Sequence, residues 1–323
     1  MTMQKRDLAL WALAVLSIFV TYAAIPAFSQ VKLPRASQNA SIKQTVGVTD
    51  ITITYSRPSV KGRKIWGDPP KNVNAKGEST LDNGYTRPKD MVIVPYGHVW
   101  RTGANEATQF AVTDDVLING QKLAAGSYSL HTIPGKTEWT IVFNGTANQW
   151  GSFAYDPAKD TLRVKAKPVL MKTNQETMLF SIDPVTDTNA TVNIRWEKIN
   201  VPFTVSVDSV GLTMAKARPL VAAAKPDDWR IRYNVGTYAY DNGLKSEGTR
   251  LLTEALQIVD QGITAKESFA LLSGRANILL ELGRDQEGFV AADKAIAFGK
   301  ANKADTSAIE KRVADTKAAK SPR

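Results

Sequence analysis

Apolar positions along this chain follow two different periods, and the change between them divides it. Over residues 31–208 they recur at every second position in short runs, the pattern of strands with one face on a core. Ile51, Ile53 and Tyr55 share one face, with threonines on the other. Val116-Leu117-Ile118 and Gln121-Lys122-Leu123 flank Asn119-Gly120, a pair that tolerates the positive φ angles of a type I′ hairpin turn. Residues 127–133 and 138–143 flank Pro134-Gly135 in the same way. Leu162, Val164 and Ala166 alternate with Arg163, Lys165 and Lys167; Ala190, Val192, Ile194 and Trp196 alternate with polar neighbours; Val201, Phe203, Val205 and Val207 follow. About nine short strands with turn chemistry between them, and no helical period separating them, predict an all-β domain over 30–208, of β-sandwich or jelly-roll-like type. Residues 68–89 break the rhythm with Pro69-Pro70, Gly77, Asn83-Gly84 and Pro88. They read as a long surface loop, either folded over a site or a tolerated insertion.

Beyond an expected linker at 209–225 the period becomes helical. Gly236, Gly243, Gly248 and Ala255 find counterparts forty residues later in Ala276, Gly283, Gly288 and Ala295, and Glu247 matches Glu287. Small residues at such places let antiparallel helices approach closely, and Gly243 and Gly283 suit the turns. Residues 226–302 therefore resemble a pair of tetratricopeptide repeats, with the extra length over the family's usual period placed in a loop near 260–263. Arg232 departs from the pattern, standing where an apolar or aromatic residue is preferred. Thr264 with Glu267 reads as a capping box, and Ser307 with Glu310 starts a final helix. There Ile309 and Val313 are placed to cover the end of the stack, ahead of a basic tail in 303–323. The resemblance implies a protein-interaction surface; bracing the β-domain is the alternative.

The first 29 residues read as an export signal. Lys5 and Arg6 precede an apolar run over 8–24, and Ala27 and Ser29 before Gln30 fit a signal-peptidase site. An uncleaved membrane anchor is the rival reading, opposed by Pro26 and the small-residue site. The chain has no cysteine, so a lipid-anchored cysteine, disulfides and thiolate metal sites are excluded. The expected product is exported, periplasmic or secreted, and not an integral membrane protein after cleavage.

Trp100-Arg101-Thr102-Gly103-Ala104-Asn105-Glu106-Ala107-Thr108 is the densest polar cluster. This run resembles the signature of the uncharacterised bacterial domain-of-unknown-function family numbered 2911. The similarity extends over about 33–207: Leu33-Pro34-Arg35-Ala36-Ser37, Ser56-Arg57-Pro58, Lys61-Gly62-Arg63-Lys64-Ile65-Trp66-Gly67, Val94-Pro95-Tyr96-Gly97, Ala125-Gly126-Ser127-Tyr128-Ser129-Leu130, Thr132-Ile133-Pro134-Gly135 and Trp139-Thr140-Ile141-Val142-Phe143-Asn144. The resemblance implies no activity or ligand, and the 68–89 insertion departs from the family's short link.

Within the run, Arg101 is a candidate fork for an anion, with Asn105 and Glu106 orienting the ligand and Trp100 as a wall. The alternative is a loop lock, in which Arg101 satisfies buried carbonyls or pairs with Glu106, and Gly103 permits an unusual turn. Arg57 and Arg63, with Lys61 and Lys64, form a second basic cluster that is a ligand contact or a solvated surface. His98 and His131 are the only histidines. They are candidates for a metal site or an acid–base pair with Glu106, without the close spacing that sets two ligands on one face. No catalytic residue or cofactor is assigned: the Gly-x-Ser-x-Gly elbow, the phosphate-cradling glycine loop and His-Glu-x-x-His are all missing.

The net charge is +10, yet residues 226–302 carry nine Lys/Arg against eleven Asp/Glu. Scattered basic residues on an exported chain argue against specific nucleic-acid binding and for weak attraction to polyanions. The expectation is a non-enzymatic binding or scaffold protein of the cell envelope, holding an anionic or carbohydrate ligand on the β-domain and a protein partner on the helices. The alternative is a hydrolase-like or metal-assisted enzyme at the Trp100 loop.

Overall fold

The structure, a computed structural model, describes residues 33–69 and 92–320. The export-signal reading and most of the 68–89 loop lie outside them. Among the described residues twelve strands precede six α-helices in chain order, as the two periods predict.

The strands are β1 (Gln38–Val46), β2 (Thr49–Arg57), β3 (Trp66–Gly67), β4 (Val94–Pro95), β5 (Thr108–Val112), β6 (Val116–Ile118), β7 (Gln121–Leu123), β8 (Gly126–Ile133), β9 (Trp139–Asn144), β10 (Asp160–Ala166), β11 (Val169–Val185) and β12 (Asn189–Ser206). One sheet runs β1-β2-β5-β8-β9-β10, a second β11-β12-β6-β7, and β3 pairs with β4. The two larger sheets are antiparallel throughout. They share one core, in which Phe203 of the smaller sheet lies 6.2 Å from Phe110 and 6.1 Å from Phe143 of the larger. The Tyr55 hydroxyl accepts from Phe180 N across the same gap at 3.0 Å. Asn119 and Gly120 turn β6 into β7 with φ of 45° and 83°, the double positive φ that a type I′ turn needs.

β12 joins what the alternation shows as two runs of opposite parity. Ala190, Val192, Ile194 and Trp196 are buried, and then Val201, Phe203 and Val205. The switch from even to odd falls at Glu197, at φ 54°, where the register with β11 shifts. The irregular pairing there, with surplus residues on the β11 side, lets β12 change the parity of its apolar face without ending.

Residues 209–225, expected as a linker, contain helix α1 (Ser209–Ala223), capped by Asp208, whose side chain accepts from Gly211 N. Pro219 inside it removes a backbone donor and reads in sequence as a break. Then come α2 (Trp229–Asp241), α3 (Lys245–Ala265), α4 (Phe269–Glu281), α5 (Asp285–Ala301) and α6 (Ser307–Lys320). α2 with α3 and α4 with α5 form two helical hairpins turned by Gly243 (φ 86°) and Gly283 (φ 71°). The extra length of the repeat is helix rather than loop, since α3 runs unbroken through 260–263. The expected capping box is absent: the Thr264 hydroxyl donates back to Asp260 O inside α3, and Ser268 caps α4 by accepting from Leu271 N. Ile309 is buried in the helical core and Val313 packs on it. Lys216 of α1 pairs with Asp114 at 2.9 Å, tying the helices to the β-sheets. Among the described residues no helix is long and apolar enough to cross a membrane.

Candidate functional site

The loop at 100–108 is held from both sides. Trp100 is 4% exposed and joins Trp66, Trp139 and Trp196 in an aromatic cluster with centroids 5.0–6.4 Å apart. Its Nε1 donates to Gly103 O at 3.1 Å. Thr102 and Asn105 take left-handed φ of 51° and 59°, a costly conformation that persists only when surroundings enforce it. The enforcement is visible: Thr108 Oγ1 donates to Thr102 O at 2.7 Å, Thr108 N to Arg101 O at 3.1 Å and Ala104 N to Ser56 O at 3.3 Å. A Cβ on Gly103 would lie 3.0 Å from Ser56 O and 3.2 Å from Thr108 Oγ1, so a larger residue would push the loop a few tenths of an ångström away from β2.

This scaffold brings Arg101, Asn105 and Glu106 together at its rim, each half-buried. Arg101 Nη1 donates to Asn105 O at 2.6 Å, the carbonyl that also accepts from Gly151 N at 3.0 Å. Glu106 forms an isolated antiparallel bridge with Trp150, and Ala107 N donates to Gln149 O at 3.0 Å. The loop is therefore zipped to residues 149–151. Arg57 and Arg63 direct donors elsewhere. Arg57 Nε donates to Met178 O at 2.8 Å, while Arg63 closes its own turn on the carbonyls of Val60 and Ser59.

The histidines occupy separate settings. His98 is 4% exposed, with Nδ1 3.2 Å from Tyr96 O. His131 is fully buried, with Nε2 3.2 Å from Ser129 Oγ. Thr132 bridges Trp100, so His131, its neighbour in β8, faces the opposite side of the sheet. Among the described residues no three His, Asp or Glu side chains are grouped to hold a metal.

The polar face around His131 contains residues that sequence reasoning missed. Ser129, His131 and Asn144 lie on the sheet face turned away from the core, yet all three are fully buried. Residues 145–159 cover them. Gln149 Nε2 donates to Ser129 Oγ at 2.9 Å, and Asn144 Nδ2 to Asp160 Oδ1 at 2.8 Å. The Tyr155 hydroxyl donates to Asp160 Oδ2 at 2.8 Å, the oxygen that also accepts from Arg163 Nε at 2.7 Å. Burial, and then the hydrogen bond and charge of Asp160, push the Tyr155 phenol above its ordinary range, so it stays a neutral donor. Above this network the covering segment exposes two aromatic rings, Trp150 at 56% and Phe153 at 54%. Three aromatics in a stretch without strand period were the available signal.

No curated protein and no solved structure matches the chain. One family model does, described as a protein of unknown function, DUF2911, and its match over residues 37–205 runs from the start of β1 to within one residue of the end of β12 and includes the zipped loops. Covering just over half of the sequence, that match establishes that the chain belongs to this family.

Proposed function

We propose that this is an exported protein of the cell envelope whose β-region binds a ligand without chemical conversion, at the rim formed by Arg101, Asn105 and Glu106. The observation that carries the reading is the contrast between rim and base. Polar groups of three kinds stand half-exposed on a backbone fixed by hydrogen bonds on both sides. A surface ordered before the ligand arrives has little conformational entropy left to lose on binding. The fully buried His131 gives no support to an exposed acid–base pair.

The helices supply the protein-interaction module, in keeping with their resemblance to tetratricopeptide repeats. Supporting this is the tight contact within each hairpin, where a Cβ on Gly248 would stand 2.6 Å from Tyr240 N. A cavity of about 390 Å³ between α1, α2 and α3, edged by Arg218, Arg232, Arg250, Glu247 and Glu254, offers a partner's segment a mixed-charge seat. Export rests on Lys5, Arg6, the apolar run and the Ala27–Ser29 site.

The test is thermal unfolding of the parent and an Arg101→Ala variant with citrate, inorganic phosphate, oligosaccharides and divalent cations. A ligand-dependent rise in melting temperature that the variant loses, while its own melting temperature stays near the parent's, is the expected result. No shift with any of them, together with a strongly destabilised variant, would make the rim architectural and sink the proposal.

A further inference from the structure

Resting on the binding-site reading above, we infer that the ligand is a carbohydrate, with Trp150 as the platform on which a sugar ring stacks. Single exposed apolar residues are ordinary on any protein, so exposure alone says little. What sets Trp150 apart is how its backbone is held. Gln149 O accepts from Ala107 N at 3.0 Å and Gly151 N donates to Asn105 O at 3.0 Å. Trp150 itself bridges Glu106, and Gly151 takes φ 64°. From below, Gln149 Nε2 is fastened to Ser129 Oγ at 2.9 Å, on the fully buried polar face of β8. Trp66, Trp100, Trp139 and Trp196 build a core cluster, whereas Trp150 is 56% exposed. The chain thus spends many bonds on presenting one indole to solvent.

The neighbours select the ligand class. Arg101, Asn105 and Glu106 line the bridge to Trp150, and Gln109 donates its side-chain amide to Asn148 beside it. These are planar groups, amide, carboxylate and guanidinium, which together donate and accept. Adjacent hydroxyls of a sugar need that combination, each being both donor and acceptor, while the C–H face of a pyranose needs an aromatic surface. A phosphate or carboxylate ligand asks instead for an excess of donors and positive charge. The mixture of donors and acceptors along this rim suits the hydroxyls of a saccharide better than it suits an anion.

The experiment uses the protein lacking residues 1–29 and three probes, cellohexaose, maltohexaose and chitohexaose, read by tryptophan emission with acrylamide quenching and by calorimetric titration. Among the described tryptophans Trp150 is the most exposed, so a stacked sugar shields the emission that acrylamide reaches. The expected result is saturable binding of at least one hexaose at millimolar affinity or better. Trp150→Ala should weaken that binding about tenfold or more, Trp150→Phe should recover part of it, and both should melt near the parent. Binding unchanged in Trp150→Ala, or no hexaose bound at all, overturns the inference. Should no hexaose bind while citrate or phosphate does so in an Arg101-dependent way, the carbohydrate assignment falls and the binding-site reading stands. If none of these probes binds, both fall.

Discussion

Replacing Trp100 by phenylalanine separates a loop held by its indole from one that merely lies beside it. Trp100 is 4% exposed, stacks on Trp196 at 5.7 Å with planes 19° apart, and meets Trp66 and Trp139 edge-on at 5.6 and 6.4 Å. Phenylalanine keeps a six-membered ring in this cluster but loses the pyrrole edge and its N–H. The lost donor leaves Gly103 O, which accepts from Nε1 at 3.1 Å in a buried setting, without its partner, at about 1–3 kcal/mol. The space vacated by the pyrrole edge adds about 1–2 kcal/mol, at the lower end of large-to-small core changes. The sum, roughly 2–5 kcal/mol, falls short of typical domain stabilities at their upper range of about 15 kcal/mol, so a folded variant is expected. Urea unfolding followed by circular dichroism gives the change, read from the midpoint at constant slope. Trp150→Ala is the internal control, expected within about 0.5 kcal/mol of the parent as a surface change. A Trp100→Phe cost no larger than that control's would show that the indole does not hold the loop, and the account of its rigidity given above would be wrong.

Tyr155→Phe tests the covered polar face through alkaline unfolding. The Tyr155 phenol is raised above 10.0, by burial and then by Asp160, so its contribution is present below pH 10.0 and declines as pH rises, when the unfolded chain ionises first. The variant should lose stability at neutral pH but show a shallower alkaline decline; parallel alkaline limbs would contradict it. At Asp114, burial pushes the pKa up but hydrogen bonds from Lys216, Thr49 and Thr113 outweigh it and hold the carboxyl below 3.8. Its contribution is therefore present above pH 3.8 and lost as pH falls through the lowered value, and Asp114→Asn should flatten that acid limb in urea titrations. In the helices, alanine in place of glycine ordinarily gains about 1 kcal/mol. Gly248→Ala should instead cost about 1–3 kcal/mol, because its Cβ would stand 2.6 Å from Tyr240 N and 2.7 Å from Tyr240 Cα. Gly288→Ala should cost less, since its Cβ meets the movable Leu280 Cδ2 at 2.6 Å; equal thermal shifts for the two would refute the close-approach argument.

What the sequence made legible was periodic, and what it hid depended on a second segment. Ile51, Ile53 and Tyr55 point inward because alternation follows from the pleat alone, and the Asn119–Gly120 turn follows from the φ angles those residues tolerate. Helix α1 was hidden by Pro219, and the length of α3 by the assumption that extra residues in a repeat form a loop. The loop at 100–108 stood out because arginine, glycine, asparagine and glutamate crowd into one run. Ser129, His131 and Asn144 could not stand out as buried, because polar residues at alternate positions describe a solvent face until something covers it. The cover, residues 145–159, has no period, and only its three aromatics, Trp150, Phe153 and Tyr155, mark it in the sequence. Trp150 was concealed by the opposite logic. A tryptophan in sequence reads as core, and the chain's core does contain four. Only the bonds from Gln149 and Gly151 to the 100–108 loop turn this fifth indole outward. Side chains whose exposure runs against their hydropathy, and which a rigid backbone keeps that way, are where folding preferences have been overruled. In this chain those side chains, inward polar and outward aromatic, lie on the two sides of one short segment, which is why the search for its ligand belongs there.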